Sequence, residues 1–354
     1  MCLFKKCFGC LKSNTNFLLV LLGVISALSL LLAVGIGPVN VSPIVVAKIL
    51  ISKIPFVENF VDCSWQPLEF NIVMGLRLPR VILGMVGASL AVCGVTMQAL
   101  VRNHLAEPFI LGVSSGASAF ATLGMIFGAF SFLGTFSLPI SAFMGAFVTI
   151  ILVYAISRVR GRINITQLLL SGVALSMIMD GVTSIIKLSA PNALGIHNAE
   201  FWMSGSLAGA KWEYLGIPLV VLVICIFVLM INYRGLNLLL LGDESAGSLG
   251  INVRRLQKLL ILVASLMTGV TVAVSGAIGF VGLMVPHFTR LIVGGDHKKV
   301  LPVSALLGGI LVVWVDVVAR MIIAPEELPV GILTAIIGGP VFIWLLRKNT
   351  GVRK

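Results

Sequence analysis

Arginines stand at informative points of a chain that has few charged residues. Of its 354 residues, 11% are charged and 58% are hydrophobic. The motif RLPR places Arg77 and Arg80 before a long apolar run, and Arg320 lies near the end of another. A guanidinium donates in a rigid fork that matches a carboxylate, so these arginines can form a cationic patch for an acidic partner. The alternative is that Arg77 and Arg80 anchor a helix at the lipid headgroups.

Two acidic residues fall inside apolar runs, where a charged side chain costs roughly 2.5 to 3.5 kcal/mol on insertion scales. Asp316 precedes Arg320 by four residues, so in a helix the two share a face and can neutralise each other. Asp180 has no such partner, since Lys187 is two helical turns away. It either lines a hydrated path or is protonated, and both interpretations stay open.

The stretch LGDESAGSLGINVRR, residues 241–255, interrupts apolar sequence with acids, glycines and arginines. Glycines at both ends of its first part favour one or two short helices at the membrane surface. Five nearby residues are apolar, which a solvated loop would not require: Leu240, Leu241, Ala246, Leu249 and Ile251. An apolar face with a charged rim is typical of a protein-binding surface.

No motif in the sequence predicts an enzyme. The chain has no phosphate-binding loop for ATP and no recognisable catalytic constellation. Cys7 and Cys10 form a C-x-x-C pair, but neither a second pair nor a nearby histidine completes a four-ligand metal site. We therefore predict no catalytic residue, no metal site and no cofactor, and we interpret Cys7 and Cys10 as reduced thiols beside a helix. The sequence assigns no role to Cys2 and no external partner to Cys63.

The elements that position these residues are membrane-spanning helices. A bilayer core of about 30 Å needs roughly 20 apolar residues per helix, and the mean hydropathy of the chain is +1.11. The apolar runs predict an all-α integral membrane protein with about ten closely packed helices. The predicted spans are 17–36, 81–101, 109–130, 138–157, 166–188, 215–233, 258–277, 280–294, 301–322 and 329–346. Small residues such as Gly84 and Ala88, at helical spacing, favour close helix contact.

When the ten predicted spans cross the membrane in order, most of the 25 lysines and arginines fall on one side of it. By the positive-inside rule that side is cytoplasmic, and both termini lie there. The predicted organisation is a basic N-terminus at 1–16, one transmembrane domain at 17–346 with a cytoplasmic loop at 234–258, and a tail at 347–354. The net charge of +12 then reflects topology, so we expect lipid and no nucleic acid as a partner.

Several longer motifs resemble the permease subunits of ABC importers for iron-siderophore complexes, haem and cobalamin. The resemblance extends over nearly the whole chain after residue 75. It rests on LRLPR (76–80), GASLAVCGVTMQALVRNHLAEPFILGVSSGA (87–117), QLLLSGVAL (167–175), FWMSGSL (201–207), LGDESAGSLG (241–250), GAIGFVGLMVPHFTR (276–290), DHKKVLP (296–302), DVVAR (316–320) and ELPVGILTAIIGGPVFIWLL (327–346). His104 and Ala277 depart from the family, which usually or often has proline there.

The resemblance implies a permease that pairs with a second, identical or homologous copy in the cytoplasmic (inner) membrane. Two cytoplasmic ABC ATPases would bind below it, and an external solute-binding protein would deliver the cargo above. Residues 241–250, here called the coupling segment, match the part that contacts the ATPase. The matching positions are Leu241, Gly242, Asp243, Glu244, Ala246, Leu249 and Gly250.

Two further sets of residues follow from the same resemblance. Arg77, Arg80 and Arg320, here called the arginine cluster, match arginines that meet acidic residues of the binding protein. Asn103, Leu105, Ile165 and Thr166 match positions that close the pathway at the cytoplasmic side, and 167–175 and 330–339 would line it. The implied function is ATP-driven alternating access for a metal chelate, ferric siderophore first, with haem or cobalamin as alternatives. The competing hypothesis is an ion-driven secondary carrier that uses Asp180 or Asp316.

Overall fold

The computed structural model describes residues 15–53, 65–159 and 162–350. The predictions for the N-terminal segment through residue 14, for the last four residues and for Cys2, Cys7, Cys10 and Cys63 lie outside these ranges. Cys93 and Cys225, which the structure describes, are buried free thiols.

The described chain is helical apart from one short ladder. The helices are α1 Thr15–Gly35, α2 Pro43–Ile51, α3 Pro67–Asn71, α4 Leu78–Leu83, α5 Met85–Val101, α6 Val113–Phe127, α7 Ser137–Ser157, α8 Ile165–Leu188, α9 Ala193–Met203, α10 Trp212–Ile231, α11 Tyr233–Leu239, α12 Asp243–Ser248, α13 Val253–Ser275, α14 Val281–Val293, α15 His297–Met321 and α16 Val330–Thr350. A π-helix, Ile72–Arg77, joins α3 to α4, and 3-10 turns occupy Pro108–Leu111 and Ser131–Phe136. Strands β1 Arg158–Val159 and β2 Arg162–Ile163 pair antiparallel.

Each predicted span coincides with one apolar helix. Within the described residues, seven helical segments are long and apolar enough to cross a membrane, and α6, α14 and α16 are shorter apolar helices. The second span is longer than predicted, because its helical segment starts at Pro67 and continues to Val101. The short eighth span is α14, which has 13 residues. Helices α2 and α9 were not predicted, since neither is long enough to register as a span.

Helix α5 is the centre of the packing. Its residues from Val86 to Leu100 are all buried. The backbone of Gly87 lies so close to that of Gly308 on α15 that a Cβ on Gly87 would stand 2.1 Å from the Gly308 carbonyl oxygen. Gly94 meets Gly282 of α14 in the same way. The small residues therefore serve the close helix contact that their spacing predicted.

Candidate docking and coupling sites

The coupling segment is a short helix between two glycine turns. Helix α12 follows Gly242, which has a φ of +105°, and Gly250 ends the segment with a φ of +88°. Both values lie in the region that side chains with a Cβ rarely adopt, so glycine fits both turns. Helix α12 confirms that this stretch contains a short helix, and α11 lies just before it.

The apolar residues near this segment do not form one face. Leu241 and Leu249 are 61% and 59% exposed, whereas Ala246 is 0% exposed and packs into the protein. The expectation of a common apolar surface that includes Ala246 was therefore wrong. One side of the six-residue helix α12 packs against the rest of the protein, and Ala246 lies on that side. Glu244 is exposed beside the two leucines.

Asp243 ties the coupling segment to α5 and α13. Its Oδ1 accepts a hydrogen bond from Arg102 Nη2 at 3.0 Å, and both of its carboxylate oxygens lie 3.4 Å from the Gln257 amide nitrogen. Arg102 ends α5 in a left-handed conformation with a φ of +56°. These partners were missed from the sequence, because 141 residues separate Arg102 from Asp243.

The arginine cluster is buried and is paired within the chain. Arg80 Nε donates to both oxygens of Asp316, at 2.9 and 3.1 Å, and Arg80 Nη1 donates to both oxygens of Glu327, at 2.9 and 2.7 Å. Arg320 Nε lies 3.2 Å from Asp316, which confirms the predicted ion pair on one helix face. Asp316 is 1% exposed. Glu327 was not predicted as a partner.

Arg77 has a different role from Arg80. Its guanidinium is buried and donates to the carbonyl oxygens of Val34, Gly35 and Val39. The last carbonyl groups of a helix have no partner within that helix, so Arg77 completes the end of α1. The interpretation of Arg77 and Arg80 as headgroup anchors was wrong, because both side chains face the protein interior. Docking of an acidic partner by the arginine cluster stays a prediction.

The predicted gate residues lie on two elements. Asn103 and Leu105 belong to the turn after α5, where Asn103 Oδ1 accepts from the Leu105 amide. Ile165 and Thr166 open α8, which is capped by Asn164. Thr166 and Asn103 are exposed, and Leu105 and Ile165 are half-buried. Their role as a gate stays a prediction.

Asp180 lies on an exposed face of α8. The neighbouring residues Met177 and Ile178 are exposed as well, at 70% and 56%. Within residues 15–53, 65–159 and 162–350, no group of three or more His, Cys, Asp or Glu side chains could hold a metal ion.

Comparison with known proteins identifies the family of this chain. Residues 23–348 match the FecCD transport family. The chain is 43% identical to the cobalamin import system permease protein BtuC of Halobacterium salinarum, over 80% of this chain and 77% of that protein. It is 42% identical to the Fe(3+) dicitrate transport system permease protein FecD of Escherichia coli, over 80% and 88%.

A solved structure gives the same result. It is described as an inward-facing conformation of a metal-chelate type ABC transporter, and it superposes with a TM-score of 0.79 at 31% identity, covering 95% of this chain and all of that one. The family match over residues 23–348 includes the positions of the coupling segment and the arginine cluster. The chain belongs to the FecCD transport family, and it is a multi-pass membrane permease subunit of an ABC importer.

Proposed function

We propose that this permease imports a metal chelate and that a separate ATPase drives it through the coupling segment. The observation that supports this most directly is the exposure of Leu241 and Leu249 on either side of α12. These two large apolar side chains flank a helix that is held in place by Asp243, and with the exposed Glu244 they form a small surface suited to a protein partner. The chain has no phosphate-binding loop, so ATP hydrolysis belongs to that partner.

The exposed face of α8 supports a pathway shared with a second permease. An ionisable residue that faces lipid is costly, so the face that bears Asp180 lies against water or protein. Pairing two copies across this face would place both Asp180 side chains along a central pathway. The turn at Asn103 and Leu105 and the start of α8 at Ile165 and Thr166 would close that pathway on the cytoplasmic side, where both termini also lie.

At the opposite end an external solute-binding protein would dock on the arginine cluster. Glu327 is 31% exposed and holds Arg80 Nη1. A carboxylate of the arriving protein can therefore reach Arg80 only by replacing or joining Glu327. Docking then changes the ion-pair partners of Arg80, so the permease can respond specifically to the bound solute-binding protein.

The cargo follows from the relatives. Their names specify cobalamin and Fe(3+) dicitrate, which are both bulky metal chelates. A ferric siderophore is the first cargo to test, with haem and cobalamin next. The ion-driven carrier is the disfavoured alternative, since Asp316 is neutralised by Arg80 and Arg320, which leaves Asp180 of the two acids considered for a coupling ion.

Purification of the tagged permease from its native cells in mild detergent tests the coupling proposal. We expect an ABC ATPase to co-purify with the parent protein. The double variant Leu241→Glu/Leu249→Glu should lose about 30-fold or more of it, because charged side chains replace two apolar contacts. The matched control is Leu194→Glu, a leucine of α9 that is 69% exposed and is separated from the coupling segment by α10 and α11.

The outcomes are distinct. Loss of the ATPase from the double variant but not from Leu194→Glu supports the proposal. Equal recovery from all three proteins would remove the coupling segment from the interface, and no ATPase with the parent would contradict ATP-driven transport.

A further inference from the structure

Asn237 joins the helix before the coupling segment to the first turn of α15. Its Oδ1 accepts from the His297 amide at 2.9 Å and lies 2.6 Å from His297 Nδ1. Its Nδ2 donates to Asp296 Oδ1 at 2.8 Å. Helix α11 thereby supplies, from 60 residues away, an acceptor for an amide that α15 cannot satisfy itself.

This contact needs a side chain with both an acceptor and a donor, which the amide of Asn237 supplies. The backbone amide of His297 can only donate, so an oxygen must face it, and the carboxylate of Asp296 can only accept, so an NH₂ must face that. Burial opposes ionisation of Asp296, but hydrogen bonds from Asn237 and from the Lys298 amide, with the nearby charge of Lys299, hold its pKa below the usual value. The His297 side chain is fully buried, so the contact is closed to solvent on that side.

The far end of α15 holds the arginine cluster. Asp316 follows His297 by 19 positions, which at 1.5 Å per residue is about 28 Å along the axis. Arg80, just before α5, is bound to Asp316 there. Arg102, just after α5, is bound to Asp243 of the coupling segment.

At one end, the pair Arg80–Asp316 connects α5 to α15. At the other end, Arg102 connects α5 to α12, and Asn237 connects α15 to α11. Between the two ends the backbones of α5 and α15 touch at Gly87 and Gly308, which leaves little room for one helix to slide past the other. A shift of α11 and α12 would therefore move the two helices together.

We propose that the contact of Asn237 with Asp296 and His297 is a transmission contact that passes movement of the coupling segment along α15 to the arginine cluster. Asn237 is a positioning residue, since it acts through α15 and touches neither partner nor cargo. This inference rests on the proposed ATP-driven function, and it adds the route by which the ATPase state reaches the opposite face of the membrane.

The test compares the full permease–ATPase complex in lipid nanodiscs with and without MgATP and orthovanadate. The reporter is Glu326→Cys in the exposed turn after α15, with Cys2, Cys7, Cys10 and Cys63 replaced by serine. The readout is the rate of labelling by a charged maleimide, and in the parent we expect trapping to change it about fivefold or more.

Three variants are compared in this background. Asn237→Asp keeps the size of the side chain but sets a second carboxylate against Asp296. The swap Asn237→Asp/Asp296→Asn restores a donor facing an acceptor. Asn192→Asp is the matched control, because Asn192 caps α9 and its side chain only accepts, from the Gly195 amide, as an aspartate also can.

We expect Asn237→Asp to reduce the trapping-dependent change to less than about twofold, and the swap and Asn192→Asp to retain it. The parent and every variant permease should bind the ATPase, and the resulting complexes should hydrolyse ATP. A general folding defect would prevent both. A full labelling response in Asn237→Asp, or a folded swap variant without recovery, would overturn the transmission contact. A parent complex that binds no ATPase, or that shows no response to trapping, would overturn the proposed function and this inference together.

Discussion

The arginine cluster and the coupling segment lie at opposite ends of the α5–α15 pair, and the fold treats their charges differently. In the cluster, Arg80 and Arg320 surround Asp316, and all three side chains are almost fully buried. In the coupling segment, Glu244 is exposed and the single ion pair of Asp243 is partly solvated. Both regions were predicted as docking surfaces on similar grounds, namely charge within an apolar sequence.

The difference shows that a charge in an apolar sequence does not by itself indicate exposure. A buried ion must be paired, since the cost of removing it from water is several kcal/mol. Arg80 and Arg320 meet this condition within the chain through Asp316 and Glu327, and of these two carboxylates Glu327 is the partly accessible one. The coupling segment instead exposes Leu241 and Leu249 together with Asp243 and Glu244, so its free surface combines apolar and acidic groups.

Asp316→Asn should have the largest effect, and it tests whether the buried ion pairs of the arginine cluster stabilise the protein. The variant leaves two buried guanidinium groups without their shared carboxylate, and removal of one partner from a buried pair costs about 3 to 5 kcal/mol. We expect a large fall in the thermal unfolding temperature in detergent and in the yield of folded protein. The measurement is fluorescence-detected size exclusion after heating.

Glu327→Gln is the matched control for that experiment, because it removes the other carboxylate that binds Arg80 but at a site that is 31% exposed. Its unfolding temperature should fall much less. Equal losses for the two variants would mean that burial does not separate these carboxylates.

The same Glu327→Gln variant also tests how the solute-binding protein docks. If an arriving carboxylate must displace Glu327 from Arg80, its neutralisation should strengthen docking of the solute-binding protein by about five- to tenfold, since a hydrogen bond to a charged group contributes roughly 1.5 to 3 kcal/mol and glutamine retains part of it. Biolayer interferometry with the permease in nanodiscs measures the affinity. Weaker docking would instead identify Glu327 as part of the docking surface.

Arg102→Gln should have the smallest effect on stability. Its side chain and that of Asp243 are 35% and 45% exposed, and pairs of this kind contribute up to about 1 kcal/mol. We expect an unfolding temperature close to that of the parent at low salt and no difference at high salt, where the pair is screened. A loss as large as that of Asp316→Asn would show that the coupling segment depends on its ion pair as strongly as the arginine cluster does.

The sequence alone determined the features that depend on local pattern. Runs of about 20 apolar residues predicted the ten helices, because the thickness of the bilayer fixes that length. The spacing of Asp316 and Arg320 predicted their ion pair, since positions four apart share a helix face. Glycines around residues 242 and 250 predicted the short helix between them.

The tertiary structure determines which residues that are distant in the sequence come into contact. Arg80 binds Asp316 from 236 positions away, Arg77 completes the end of α1, and Asn237 reaches His297 across 60 residues. It also decided that Ala246 faces inward while Leu241 and Leu249 face outward, which a helix of six residues is too short to reveal by periodicity. Local pattern sets where a helix begins and which residues share its face, but the packing of one helix on another selects the partner of each buried polar group.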